Sequence, residues 1–247
     1  MMEGFGVAWP FLLLLPLVAF LYASVGHGGA SGYLALMALF SFSPEVMKPT
    51  ALLLNLFVAA IAFFHYYQSG YFSWKAFWPF AIASIPMAFL GGMIELDATL
   101  YRKFLGVLLI FAILKMLQVF GKERSEIRSV KIWQGLLVGG IIGYFSGLIG
   151  IGGGIVLTPV ILLFHWGKMK EAAAISALFI WVNSAAGLLG QFTNEMQLVS
   201  HSLLLVGMAL LGGFFGSYLG SKKLNNLHLR YFLALVLGIA SLKLLLA

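Results

Sequence analysis

Apolar runs follow one another along almost the whole of this chain, separated by joints of only a few polar residues. The runs and their punctuation give segments at about 7–25, 30–41, 50–66, 75–94 and 101–120, then 131–149, 155–164, 171–190, 201–220 and 230–246. Charged residues make up 9% of the 247, against roughly 25% in soluble domains, and mean hydropathy is +1.01. The reading is an all-α integral membrane protein with a single membrane domain over 1–247. The first run, Trp9 to Val25, is expected to be a retained helix, because no basic residue precedes it and Glu3 is the only early charge.

Twice an apolar stretch is cut by a glycine cluster, at Gly26-His27-Gly28-Gly29 and at Gly150-Ile151-Gly152-Gly153-Gly154, with matching glycines 124 positions apart. Glycine is poor in helix interiors, so paired clusters predict backbone unwound inside the bilayer. The segments after each break reach only about 15–18 Å, short of the ~30 Å hydrocarbon core, and are expected to be short or re-entrant helices.

A second register, shifted by 128, aligns Gly92 with Gly220, Arg102 with Arg230 and Leu114-Lys115 with Leu242-Lys243. Two repeats of five helical segments follow, with about 8 to 10 of the ten crossing the membrane: repeat 1 over 1–120, a cytoplasmic linker over 121–131 and repeat 2 over 132–247. The change of shift implies about four extra residues in the second half, expected between the break and its third helix.

Loops retained in the cytoplasm are rich in Lys and Arg. Lys122, Arg124, Arg128 and Lys131 therefore mark the central joint as cytoplasmic. Tracing outward puts Lys75, Lys168, Lys170, Lys222, Lys223 and Arg230 inside, and Lys48, Arg102 and Lys103 outside. The joint 191–200, with Glu195 and no Lys or Arg, falls outside, as do both termini. An odd number of crossings per half makes the repeats inverted, as in many secondary transporters. A competing layout has four full helices per half in parallel repeats, but 131–165 is too long for one crossing and the positive loops would split between faces.

The net charge of +7 sits in joints rather than on one basic surface, so it reads as membrane orientation and not as nucleic-acid binding. The chain has no cysteine, which excludes disulfides and thiol chemistry, and its Phe and Trp content is lipid-facing usage that calls for no cofactor. All eight acidic residues, Glu3, Glu45, Glu95, Asp97, Glu123, Glu126, Glu171 and Glu195, lie at joints or termini. Without a carboxylate in mid-membrane, a cation-driven pump is disfavoured and an anion path is favoured.

Helices that start just after Gly29 and Gly154 would point their first N–H groups into the breaks, forming a nest for a small anion. The plainer reading is close helix packing through small residues. His27 is the one ionisable side chain in either break; it could donate to an anion, take up an accompanying proton, or simply hold a backbone carbonyl. Asn55, Ser176, Asn183 and Ser184 could complete an oxyanion shell or serve as interhelical hydrogen bonds. Lys115 and Lys243 read as snorkelling anchors.

Gly147-Leu148-Ile149-Gly150-Ile151-Gly152-Gly153-Gly154-Ile155-Val156-Leu157-Thr158-Pro159 resembles the hallmark of the TauE/SafE sulfite exporter family, and the likeness extends over essentially the whole chain. Its further signs are the weaker first copy at Gly26 to Gly29, the stretches Lys48 to Ala51 and Lys170 to Ala174, and Asn55 and Asn183. The resemblance implies a bacterial, archaeal or plant membrane carrier for sulfite, sulfoacetate or related organosulfur and small organic anions, here in the inner (cytoplasmic) membrane. In the first copy His27 and Ala30 stand where the second has Ile151 and Gly154, and Ala35 where it has Pro159.

The expected substrate-binding residues are Gly26, His27, Gly28, Gly29, Ser31, Asn55, Gly150, Gly152, Gly153, Gly154, Thr158, Ser176 and Asn183. The expected partners are the small anion and the lipid bilayer, and pairing of two chains is left open. Two alternatives remain: a channel for small solutes, or an intramembrane serine protease. The latter rests on Gly29-Ala30-Ser31-Gly32, which resembles the rhomboid GxSG motif, but needs a histidine to activate Ser31. His65, His165, His201 and His228 all fall at segment ends.

Overall fold

The structure, a computed structural model, describes residues 9–117, 127–193, 198, 201–222 and 227–246. Glu3, Lys122, Glu123, Arg124, Glu126, Glu195 and Lys223, which carry part of the charge reading, lie outside the described residues, as do Ser125 and the side chains of Lys115, His228 and Arg230.

Among the described residues the chain forms ten α-helices: α1 Trp9–Ala23, α2 Ala30–Leu39, α3 Pro44–Gln68, α4 Trp74–Met93, α5 Ala98–Met116, α6 Ile132–Ile149, α7 Gly154–Leu163, α8 Met169–Gln191, α9 Ser202–Lys222 and α10 Leu227–Leu246. Helices α3, α4, α6, α8 and α9 are long and apolar enough to cross a membrane. Helices α2 and α7, at 10 residues each, reach only about 15 Å.

One segment boundary and the place of the insertion differ from the sequence reading. Helix α3 starts at Pro44 rather than near 50, because Pro44 occupies the first helical turn, where a missing N–H costs nothing, and Pro49 follows while the ladder is only beginning. The extra length of the second half is not mainly before its third helix. Residues 40–43 join α2 to α3 and 164–168 join α7 to α8, whereas 69–73 join α3 to α4 and 192–201 join α8 to α9. Most of the insertion therefore falls between the end of α8 and the start of α9.

The packing partners exchange between halves. Helix α4 lies against α6 and α8, α9 lies against α1 and α3, and α3·α8 and α5·α10 pair across the middle. Gly139, Gly143 and Gly147 on α6 bring its backbone onto the carbonyls of Phe80, Ser84 and Ala88 on α4. Gly212, Gly216 and Gly220 on α9 do the same against Pro16 and Phe20 on α1 and Ser24 just past its end. Lipid supplies no hydrophobic drive between helices, so such four-residue ridges of small side chains hold them by dispersion at backbone contact. The outer face of α6, by contrast, exposes Trp133, Leu137, Ile141 and Phe145, a stripe suited to lipid.

Lysines cap helix ends. The Lys48 ammonium donates to the carbonyls of Gly92 (3.1 Å) and Ile94 (3.0 Å) at the end of α4. Lys170 donates to the Ser221 carbonyl near the end of α9 (3.0 Å) and to the Tyr71 hydroxyl (3.2 Å). Lys243, expected to be an anchor, binds the Leu39 carbonyl and the Ser41 hydroxyl at the end of α2, at 2.9 and 2.8 Å. Cations at these ends meet both the orphan carbonyls and the helix dipole. At the start of α5, the Asp97 carboxylate accepts the N–H groups of Thr99 (2.9 Å) and Leu100 (3.2 Å), which holds its pKa below the usual carboxylate value.

Candidate substrate site at two helix breaks

The two breaks share one local design. Past α1, the His27 N–H donates to the Tyr22 carbonyl at 2.9 Å around Gly26, whose φ is +76°. Past α6, 124 residues on, the Ile151 N–H donates to the Ser146 carbonyl at 3.2 Å around Gly150, with φ +88°. Both are six-residue helix terminations that need a left-handed residue. Gly29 (φ +103°) and Gly153 (φ +77°) then start α2 and α7, each accepting the N–H of Tyr33 (2.9 Å) or Leu157 (3.0 Å). The same pattern recurs at the far ends, where Phe42 donates to Met37 around Ser41 and Trp166 to Ile161 around His165.

The breaks meet inside the protein. Gly28 and Gly152 press on the same two side chains of the crossing pair α3·α8, Asn55 and Ile180. A Cβ on Gly28 would lie 2.5 Å from Asn55 Oδ1, and one on Gly152 would lie 2.6 Å from its Nδ2. The Asn55 amide donates to the Ile151 carbonyl and the Ser184 hydroxyl, both at 3.4 Å. A second bridge joins the first break to α7 and α8: His27 Nε2 is 3.1 Å from Thr158 Oγ1, which is 2.8 Å from Ser176 Oγ and donates to the Gly154 carbonyl at 3.1 Å. The His27 Nδ1 lies 2.9 Å from the Val25 carbonyl. A carbonyl only accepts, so Nδ1 carries a proton.

Residues 26–38 and 146–155 are buried without exception, as are Asn55, Thr158, Ser176, Asn183 and Ser184. Of the expected residues, the structure brings together Gly28, Asn55 and Gly152, and separately links His27, Thr158 and Ser176. Ser31 instead donates to the Tyr22 hydroxyl at 2.9 Å, so the histidine pairing that a serine nucleophile needs is taken up by a tyrosine. The Asn183 amide turns to α4, donating to Ser84 Oγ at 3.1 Å and to the Phe179 carbonyl at 2.7 Å.

Sequence reasoning missed the tyrosines. Tyr33 donates to the Gly28 carbonyl (2.8 Å), Tyr101 to Ile149 (3.0 Å) and Tyr66 to Ser24 (3.0 Å), satisfying carbonyls that the breaks release. A tyrosine four residues after Gly29, in an otherwise apolar segment, was the available signal. Among the described residues, no group of three or more His, Asp or Glu side chains could hold a metal ion.

A bundle of lipid-facing apolar helices, with short helices leaving two breaks at a buried polar centre, is the build of a multi-pass membrane transporter. The chain belongs to the family described as sulfite exporter TauE/SafE, whose model matches residues 11–244. Its relatives include a protein of Sinorhizobium fredii named as a probable membrane transporter, 36% identical with 98% of each chain covered. One of Methanocaldococcus jannaschii with the same description is 30% identical, covering 96% of this chain and 97% of its own. A third, from Bacillus subtilis, is 22% identical over 73% of each. No solved structure matches. Members of the family are membrane transporters, so the chain is not an enzyme and the protease alternative falls.

Proposed function

We propose that the protein carries a small oxyanion, sulfite or a related organosulfur acid, across a prokaryotic cytoplasmic membrane through a site shared by the two breaks. The observation that carries this reading is the meeting of Gly28 and Gly152 on Asn55, at the N-terminal ends of α2 and α7. The opening N–H groups of those helices lie outside the helical ladder and favour negative charge. The described acidic residues Glu45, Glu95, Asp97 and Glu171 are at helix starts or joints along the chain, none of them within the glycine clusters. The family supplies the substrate class.

Exchange of packing partners between the halves fits two repeats, 1–120 and 132–247, and the charge map favours their inversion. Rocking of one repeat against the other would open the shared site alternately to each side.

The test is flux into proteoliposomes with sulfite, sulfate, thiosulfate, sulfoacetate and small carboxylates. Gly152→Val, which drives a side chain into Asn55 at a φ of +72°, should abolish uptake while the protein still reaches the membrane. Ser176→Ala, a milder change, should lower uptake without loss of folded protein. Uptake at the normal rate by both variants would remove the site, and failure to move any anion would remove the function.

A further inference from the structure

Among the described residues four buried side-chain atoms lack a hydrogen-bond partner, on Asn55, Ser146, Asn183 and Gln191, and of these residues Asn55 is the one that both Gly28 and Gly152 meet. Asn55 is fully buried, and its Oδ1 has no hydrogen-bond partner. Exchanging the amide O and N does not relieve this. That orientation would set Oδ1 against the Ile151 carbonyl, where Nδ2 now donates at 3.4 Å, and two acceptors repel. The Ile151 carbonyl and the Ser184 hydroxyl thus fix the amide with Oδ1 turned toward Gly28, in the space where a Cβ would lie 2.5 Å away. An unpaired buried acceptor is costly, and beside an anion it also repels.

Building on the proposed anion site, we propose that Asn55 makes it selective for oxyanions that bring a donor of their own, an O–H on the acid group. The first N–H groups of α2 and α7 offer several donors and Asn55 Oδ1 offers one acceptor. A monoprotonated oxyanion is the complement: several acceptor oxygens and one O–H. Bisulfite has that form, and a fully deprotonated sulfonate does not. Discrimination is strong when a buried polar group is left unpaired by the wrong ligand.

The probes are methylphosphonate and methanesulfonate at mildly acidic pH, where both are tetrahedral monoanions of similar size and only the first carries an O–H. Each competes with sulfite uptake into proteoliposomes. Methylphosphonate should inhibit about tenfold better, the factor set by one buried hydrogen bond. In Asn55→Leu the two should inhibit alike, if that variant folds; the wild-type comparison stands without it. Equal inhibition of the wild type overturns the role of Asn55 and leaves anion transport intact. Absence of uptake of every anion in the panel removes the transport reading, and this inference with it.

Discussion

At the scale of single residues, the first break and the second helical half are tied by one hydroxyl. Thr158 is buried, contacts His27 and Ser176, and returns a bond to its own helix at Gly154. Thr158→Val keeps the shape and deletes the hydroxyl, so it should lower stability by about 1–2 kcal/mol. Thermal unfolding in detergent would measure this, and an unchanged midpoint would mean the bridge contributes nothing. Thr158 was legible as part of the glycine motif, but its partners were not. His27 and Thr158 are 131 positions apart, and the sequence carries no signal for which buried polar groups will meet.

At the scale of elements, α4 and α6 are joined through glycine. A side chain on Gly147 would enter the Ala88 carbonyl, while one on Gly140 would find ordinary contacts, 3.6 Å from Ala83 Cβ and 3.9 Å from Met87 Cγ. Gly147→Leu should therefore force the helices apart, costing about 3 kcal/mol or more and depleting folded protein in the membrane. Gly140→Ala should be tolerated or gain up to about 1 kcal/mol of helix propensity. Quantitative detergent-extraction yield and melting separate the two, and equal behaviour would contradict the backbone contact. Both breaks and nearly every segment were readable from apolar runs and glycine clusters, because a buried helix must be apolar throughout. The start of α3 was not, since Pro44 and Lys48 look like a joint until a cap and a carbonyl partner at Gly92 are found.

At the scale of the whole molecule, the proposed inversion of the two repeats makes a topological prediction. Single cysteines at Ser69 and Ser125 should both react with an impermeant maleimide from the cytoplasmic side, and those at Ser43 and Thr193 from outside. Reaction of Ser69 and Ser125 from opposite faces would rule the inverted repeats out. The capping lysines fit the repeat itself: Lys48 closes α4 and Lys170 closes α9, the helices that exchange roles between halves.

The sequence alone determined that this chain lies in a bilayer as paired sets of helices with two glycine breaks. Hydrophobicity and glycine act locally: each run must satisfy its own backbone, and each cluster ends a helix wherever it stands. Only the tertiary structure decided that the two breaks close on Asn55 and that Asn183 turns away to Ser84. It also gave the freed carbonyls at Gly28 and Ile149 to tyrosines. Those choices depend on how α3 crosses α8 and on which small residues let helices approach to backbone contact. They are many-body packing outcomes that no single stretch of sequence encodes.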